Sequence, residues 1–166
     1  MGGVLAPWLA CLVVLPVSAV SARETPAAFP RQVQGIWYSD DAEGRARCKA
    51  FLGGLAADDG EAYNFLVGAE VIRAGMWHSY AEYGEGNFYE IRTLGKIGKR
   101  SWRVSTLTGI DTMPDPEFSA EATFRFRIDK GILTWVFESF DGTPVDSWDE
   151  QRLFRCAPVP EGMYAS

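Results

Sequence analysis

Between Ala120 and Ser139 the side chains alternate so strictly that the local backbone has little choice. Ala122, Phe124, Phe126 and Ile128 take every second position, and Thr123, Arg125 and Arg127 fill the gaps. A period of two is the mark of a strand with one buried face. After Lys130-Gly131, Leu133, Trp135 and Phe137 again lie on one side, with Ile132, Thr134, Val136 and Glu138 on the other. A two-residue loop at Lys130-Gly131 sets Ile128 opposite Leu133, Phe126 opposite Trp135 and Phe124 opposite Phe137. A three-residue loop with Gly131 as a bulge would set the second trio beside the arginines. Burial fixes register, so the two-residue loop is expected. It requires Lys130 as well as Gly131 at positive φ, which is a cost for lysine.

The same texture runs along most of the chain. Short β-rich segments fall at Gln34–Ser39, Tyr63–Arg73, Met76–Tyr83, Asn87–Leu94, Ser101–Ile110, Ala120–Ile128, Ile132–Ser139 and Ser147–Cys156. About eight short strands separated by Gly, Asp and Pro predict a sandwich or a barrel. The expectation is a mainly β fold: an antiparallel up-and-down barrel of about eight strands, with one short helix after the first. That helix lies in "DDAEGRARCKAFLGGL". Asp40 or Asp41 caps it, Glu43 sits in its first turn and Gly53-Gly54 ends it. A second hairpin, "MWHSYAEYGEGNFYEI", is expected to turn at Glu85-Gly86, pairing Tyr83 with Phe88 and Tyr80 with Ile91. Both its faces then carry aromatics, so the outer one is covered by the helix near Cys48 or left open to a partner.

No charged side chain precedes Arg23, and the apolar start ends on small residues at Val20 and Ala22. This reads as a secretory signal over residues 1–22. Residues 23–33 then form a flexible lead-in, 34–157 the barrel and 158–166 a loose tail. A net charge of −6 argues against nucleic acid, which would demand a basic stripe. It also argues against an anionic membrane surface, and no later apolar run is long enough for stable insertion in a bilayer. Past the signal two cysteines remain, Cys48 and Cys156, and an even count in an exported chain predicts one disulfide. It would close a loop of about 107 residues, for which the chain-entropy model gives roughly 4–5 kcal/mol. The predicted location is the periplasm or the outside of the cell.

Gly35-Ile36-Trp37, at the head of this meander, resembles the Gly-x-Trp opening of lipocalins and the wider calycin group. The resemblance implies that Trp37 lies across the closed end of the barrel with a basic residue of the last strand, Arg152 or Arg155, packed on it. A guanidinium on an indole gains cation–π attraction while its head stays hydrated. With Cys48 soon after, the opening is also similar to small periplasmic protease-inhibitor barrels, whose mature N-terminal segment enters the protease cleft.

Catalytic machinery is not apparent. His78 is the single histidine, and Ser79 beside it would point to the opposite face of a strand. Zinc needs more N or S ligands than the chain offers, and the acidic loops lack EF-hand spacing. Glu82 and Glu90 could form an acid pair only if a hairpin sets the spacing that glycosidases need. No phosphate-binding or dinucleotide fingerprint occurs. The reading is therefore a non-catalytic binding protein without cofactor or metal. Its small apolar ligand would be held among Trp102, Phe124, Phe126, Trp135 and Phe137. The alternative is a module that binds an envelope or extracellular protein through its loops and N-terminal segment.

Overall fold

A computed structural model describes residues 27–57, 61–146 and 149–164. The expected signal segment lies outside these residues. The strands are β1 (Gly35–Ser39), β2 (Glu70–Ile72), β3 (Met76–Tyr80), β4 (Gly86–Gly98), β5 (Ser101–Ile110), β6 (Ala120–Asp129), β7 (Ile132–Phe140), β8 (Thr143–Pro144) and β9 (Gln151–Ala157). One helix, α1 (Ala42–Ala57), follows β1. Neighbours in sequence pair antiparallel from β1 to β7; β9 then lies between β7 and β1, and the β6–β7 pairing completes the ring. The result is the expected closed, eight-stranded, up-and-down barrel, with β8 a short addition on β7.

The β6–β7 hairpin has the predicted register: Ile128 pairs with Leu133, Phe126 with Trp135 and Phe124 with Phe137. Lys130 has φ 47° and Gly131 φ 83°, so lysine does accept the left-handed conformation here. Burying three large pairs outweighs a local cost on the order of 1 kcal/mol.

The antiparallel order gives the barrel two poles. The turns at 73–75, 99–100 and 130–131 and the end of β9 lie at one; the connections 40–41, 81–85, 111–119 and the turn after β7 at 141–142 lie at the other. The first pole is stoppered by the segment before β1. Phe29 and Val33 are buried, and the Phe29 ring meets Phe126 edge-on with centroids 5.2 Å apart. The Phe29 N–H donates to Ala74 O at 2.7 Å, and the Trp37 indole donates to Val33 O at 2.8 Å. Residues 27–33 are thus docked rather than flexible, because one aromatic side chain anchors a stretch that otherwise reads as Pro- and Ala-rich. Phe29→Ala is expected to cost about 3 kcal/mol by leaving a cavity, checked by urea unfolding.

A second core lies outside the barrel. Cys48 and Phe51 of α1 pack with Ile36, Tyr38, Leu66, Val71 and Ala157. Asp41 caps α1, accepting from Gly44 N–H at 2.7 Å. The helix continues through Gly53-Gly54, where a stop was expected. Cys48 and Cys156 form the predicted disulfide, with Cα atoms 5.7 Å apart, and join α1 to β9.

Other expectations are corrected. The run predicted as strand Tyr63–Arg73 is a 3-10 turn at Glu61–Leu66 followed by the three residues of β2. The β3–β4 hairpin pairs Tyr80 with Gly86 and His78 with Phe88, across a longer turn in which Tyr83 has φ 56°. This register turns Trp77 and Tyr89 together into the barrel. The outer aromatics His78 and Phe88 stack at 3.8 Å. They are covered by the C-terminal segment rather than by α1: the Tyr164 hydroxyl lies 2.7 Å from His78 Nδ1, and Met163 is buried. The expected loose tail is therefore docked as far as Tyr164.

Candidate functional site

The two halves of the barrel interior differ in filling. From the stoppered pole upward, Phe29, Phe126, Trp102 and Trp77 pack in one buried cluster, each at most 5% exposed. Towards the other pole the inward positions of β6 are Ala122 and Ala120, and their small side chains leave a space. A cavity of about 580 Å³ opens there, walled by β4 to β7 and the 111–119 loop. This size falls within the usual range for small-molecule sites.

Its inner wall is Tyr89, Phe124, Trp135 and Phe137, with Ala122 and Thr108 beside them. Phe124 stacks on Phe137 at 5.0 Å and meets Trp135 edge-on at 5.8 Å. Trp77 buttresses this wall from behind, 4.1 Å from Tyr89 and 4.8 Å from Phe124. Such a cluster is rigid, since each ring fixes the next. At the mouth Ile110, Met113, Phe118 and Phe140 are exposed, Phe118 at 85%.

Polar groups at the site are few. Thr108 Oγ1 and Trp135 Nε1 are buried without a hydrogen-bond partner among the described residues. Both residues line the cavity. Unmet hydrogen-bonding capacity costs about 1–3 kcal/mol per group, and here it gathers at this wall. Behind Tyr89 lies Glu70, 9% exposed, its carboxyl oxygens accepting from Trp77 Nε1 at 2.5 Å and from Ser79 Oγ at 3.1 Å. Burial pushes its pKa up to about 8, against the smaller opposing effect of those two hydrogen bonds. Burial likewise raises the Tyr89 phenol, and the neighbouring Glu70 adds to the effect.

No protein-family model, no curated protein and no solved structure matches this chain.

Of the residues singled out in the sequence, Phe124, Trp135 and Phe137 come together in the cavity wall. Trp102 and Phe126 share their face but lie deeper, in the filled half. Alternation tells which face a side chain takes, not how far along the axis it sits. Trp37 is buried in the barrel core, its indole N–H donating to Val33 O. Arg155 pairs with Trp37 in register, and its Nε lies where a Cβ on Gly35 would come within 2.6 Å. Gly35, at φ 148°, is thus the glycine that lets this side chain pass. Arg152 sits instead with Asp40, 3.8 Å away. The cation–π contacts among the described residues are Arg45 over Phe154 and Arg73 over Tyr164.

Glu82 and Glu90 are not brought together in the cavity: Glu82 lies in the 81–85 connection, and Glu90 pairs with Arg92 on the outside. No group of three or more His, Cys, Asp or Glu among the described residues is placed to hold a metal. Sequence reasoning missed Ala120, Ala122, Thr108 and Phe140. The signal was there in the parity, since Ala122 lies two residues before Phe124 and Thr106 and Thr108 face the two alanines across β5.

Proposed function

We propose that this protein is an exported, non-catalytic binding barrel of the lipocalin type, which holds a small apolar ligand in the cavity at its open pole. The observation that carries the reading is the aromatic-walled space of about 580 Å³ in a barrel whose other half is solid. The packed half and the Phe29 stopper hold the wall in place, and the exposed rim offers an apolar path inward. Burying ~200 Å² of ligand surface would contribute about 5 kcal/mol. After the loss of ligand freedom this is consistent with affinities near the micromolar range. The Cys48–Cys156 bridge supports export, since disulfides persist in oxidising compartments.

The alternative, a partner-binding module that inserts its N-terminal segment, draws less support. Phe29 and Val33 are already used to close the barrel.

Titration with the uncharged fluorophore N-phenyl-1-naphthylamine tests the reading. Saturable binding to one site, with energy transfer from tryptophan, is expected. Ala122→Phe places a ring in the cavity and should weaken binding about tenfold or more, with the circular dichroism spectrum retained. Equal binding by a folded A122F variant would place the dye elsewhere and remove the reading.

A further inference from the structure

Acids dominate the mouth of the cavity, whereas at the 40–41 connection Asp40 is paired with Arg45 and Arg152. The connections 81–85 and 111–119 and the turn 141–142 contain Glu82, Glu85, Asp111, Asp115, Glu117 and Asp141, and no lysine or arginine. The basic residues Arg73, Lys99, Arg100, Lys130 and Arg155 lie at the stoppered pole. Asp115 is the one charged residue in the cavity lining. Among the described residues none of Asp111, Asp115, Glu117 and Asp141 enters a salt bridge. Their hydrogen bonds come from backbone N–H groups: Asp111 accepts from Gly86, Asp115 from Glu117 and Asp141 from Glu121.

Strand alternation keeps cations out of the cavity wall. On β5 and β6, Arg103, Arg125 and Arg127 occupy the outward positions between Trp102, Val104, Phe124 and Phe126. Arg103 and Arg125 are satisfied there by Glu138, at 2.7 and 3.5 Å. β7 contains no basic residue. A carboxylate or phosphate carried into this cavity would lose its water and meet no compensating charge. A cation left at the rim would keep part of its hydration, face unpaired carboxylates and lie beside aromatic rings.

Resting on the cavity as the binding site, we infer that the ligand is a cationic amphiphile, an apolar body with an ammonium-type group, held tail inward and cation at the mouth beside Asp115. The field of the open pole also draws such a ligand towards the mouth and repels anions of the same shape.

Three probes with one tail separate the possibilities: octyltrimethylammonium, octanol and octanoate, each displacing N-phenyl-1-naphthylamine below its micellar range at neutral pH. The ammonium should displace the dye at a concentration about tenfold lower than octanoate, with octanol between them. The gap should narrow in 0.5 M NaCl, because surface fields are screened within a few ångströms there. Asp115→Asn should narrow it too, by weakening the ammonium alone. Octanoate binding as well as or better than the ammonium would overturn the inference while leaving the cavity as a binding site. Failure of the dye and of all three probes to bind would remove the cavity reading itself.

Discussion

Glu70→Gln is expected to make the protein more stable at pH 8, by several kcal/mol, and to flatten its pH profile. Glu70 points into the barrel from β2, and its hydrogen-bond partners are Trp77 and Ser79; no cation is among them. Its folded pKa of about 8 stands above the ordinary 4.5. Between these values the folded protein holds a proton that the unfolded chain has released. Stability therefore falls as pH rises through that window, by about 1.4 kcal/mol per unit at most, and levels off above it. Glutamine does not ionise. Its amide oxygen can accept from Trp77 Nε1 and its amide nitrogen can donate to Ser79 Oγ, so both bonds survive. Urea unfolding at pH 5.5 and 8.5 should show a large drop for the wild type and a much smaller one for the variant. Equal slopes with pH in the two proteins would show that Glu70 is not buried as a neutral acid.

Removing the disulfide by the double change Cys48→Ala and Cys156→Ala is expected to cost about 3–5 kcal/mol, most of it through the greater freedom of the unfolded chain. The barrel closes on itself through backbone pairing of β9 with both β1 and β7, so it should survive as a fold. The helix is more exposed to the loss. Besides Cys48, its contacts include buried Phe51, Arg47, which donates to Val67 O at 2.9 Å, and Arg45 over the Phe154 ring. Hydrogen exchange should therefore accelerate first in Ala42–Ala57, while β4 to β7 stay protected. The melting temperature with and without reductant gives the total effect. Uniform acceleration around the whole barrel would contradict this division.

How much was legible in the sequence depends on how local the deciding contact is. The β6–β7 register was readable because one pairing joins every large side chain and the other scatters them. The β3–β4 register was not, because aromatics occupy both of its faces. The decision there comes from Trp77 against Tyr89 on the inside and from Tyr164, 86 positions away from His78, on the outside. Gly53-Gly54 reads as a helix stop, yet α1 runs on, its register already fixed by the docking of Cys48 and Phe51. Glu70 is not legible as a buried group, since a single acid in a run expected to be strand looks like a solvated side chain. Its burial follows from facing the same way as Ile72. The cavity was half legible: parity chose the face on which Phe124, Trp135 and Phe137 meet, while the filling of the space beside Phe126 depends on Phe29, which enters there from outside the strands.

The stopper formed by Phe29 and the closing strand that ends at Ala157 lie at the same pole, opposite the mouth. A tether joined to the chain just before Phe29 would therefore present the barrel as a cup on its stem, rim outward. Immobilising the protein on a sensor surface through that side should leave the cavity free to sample the surrounding fluid.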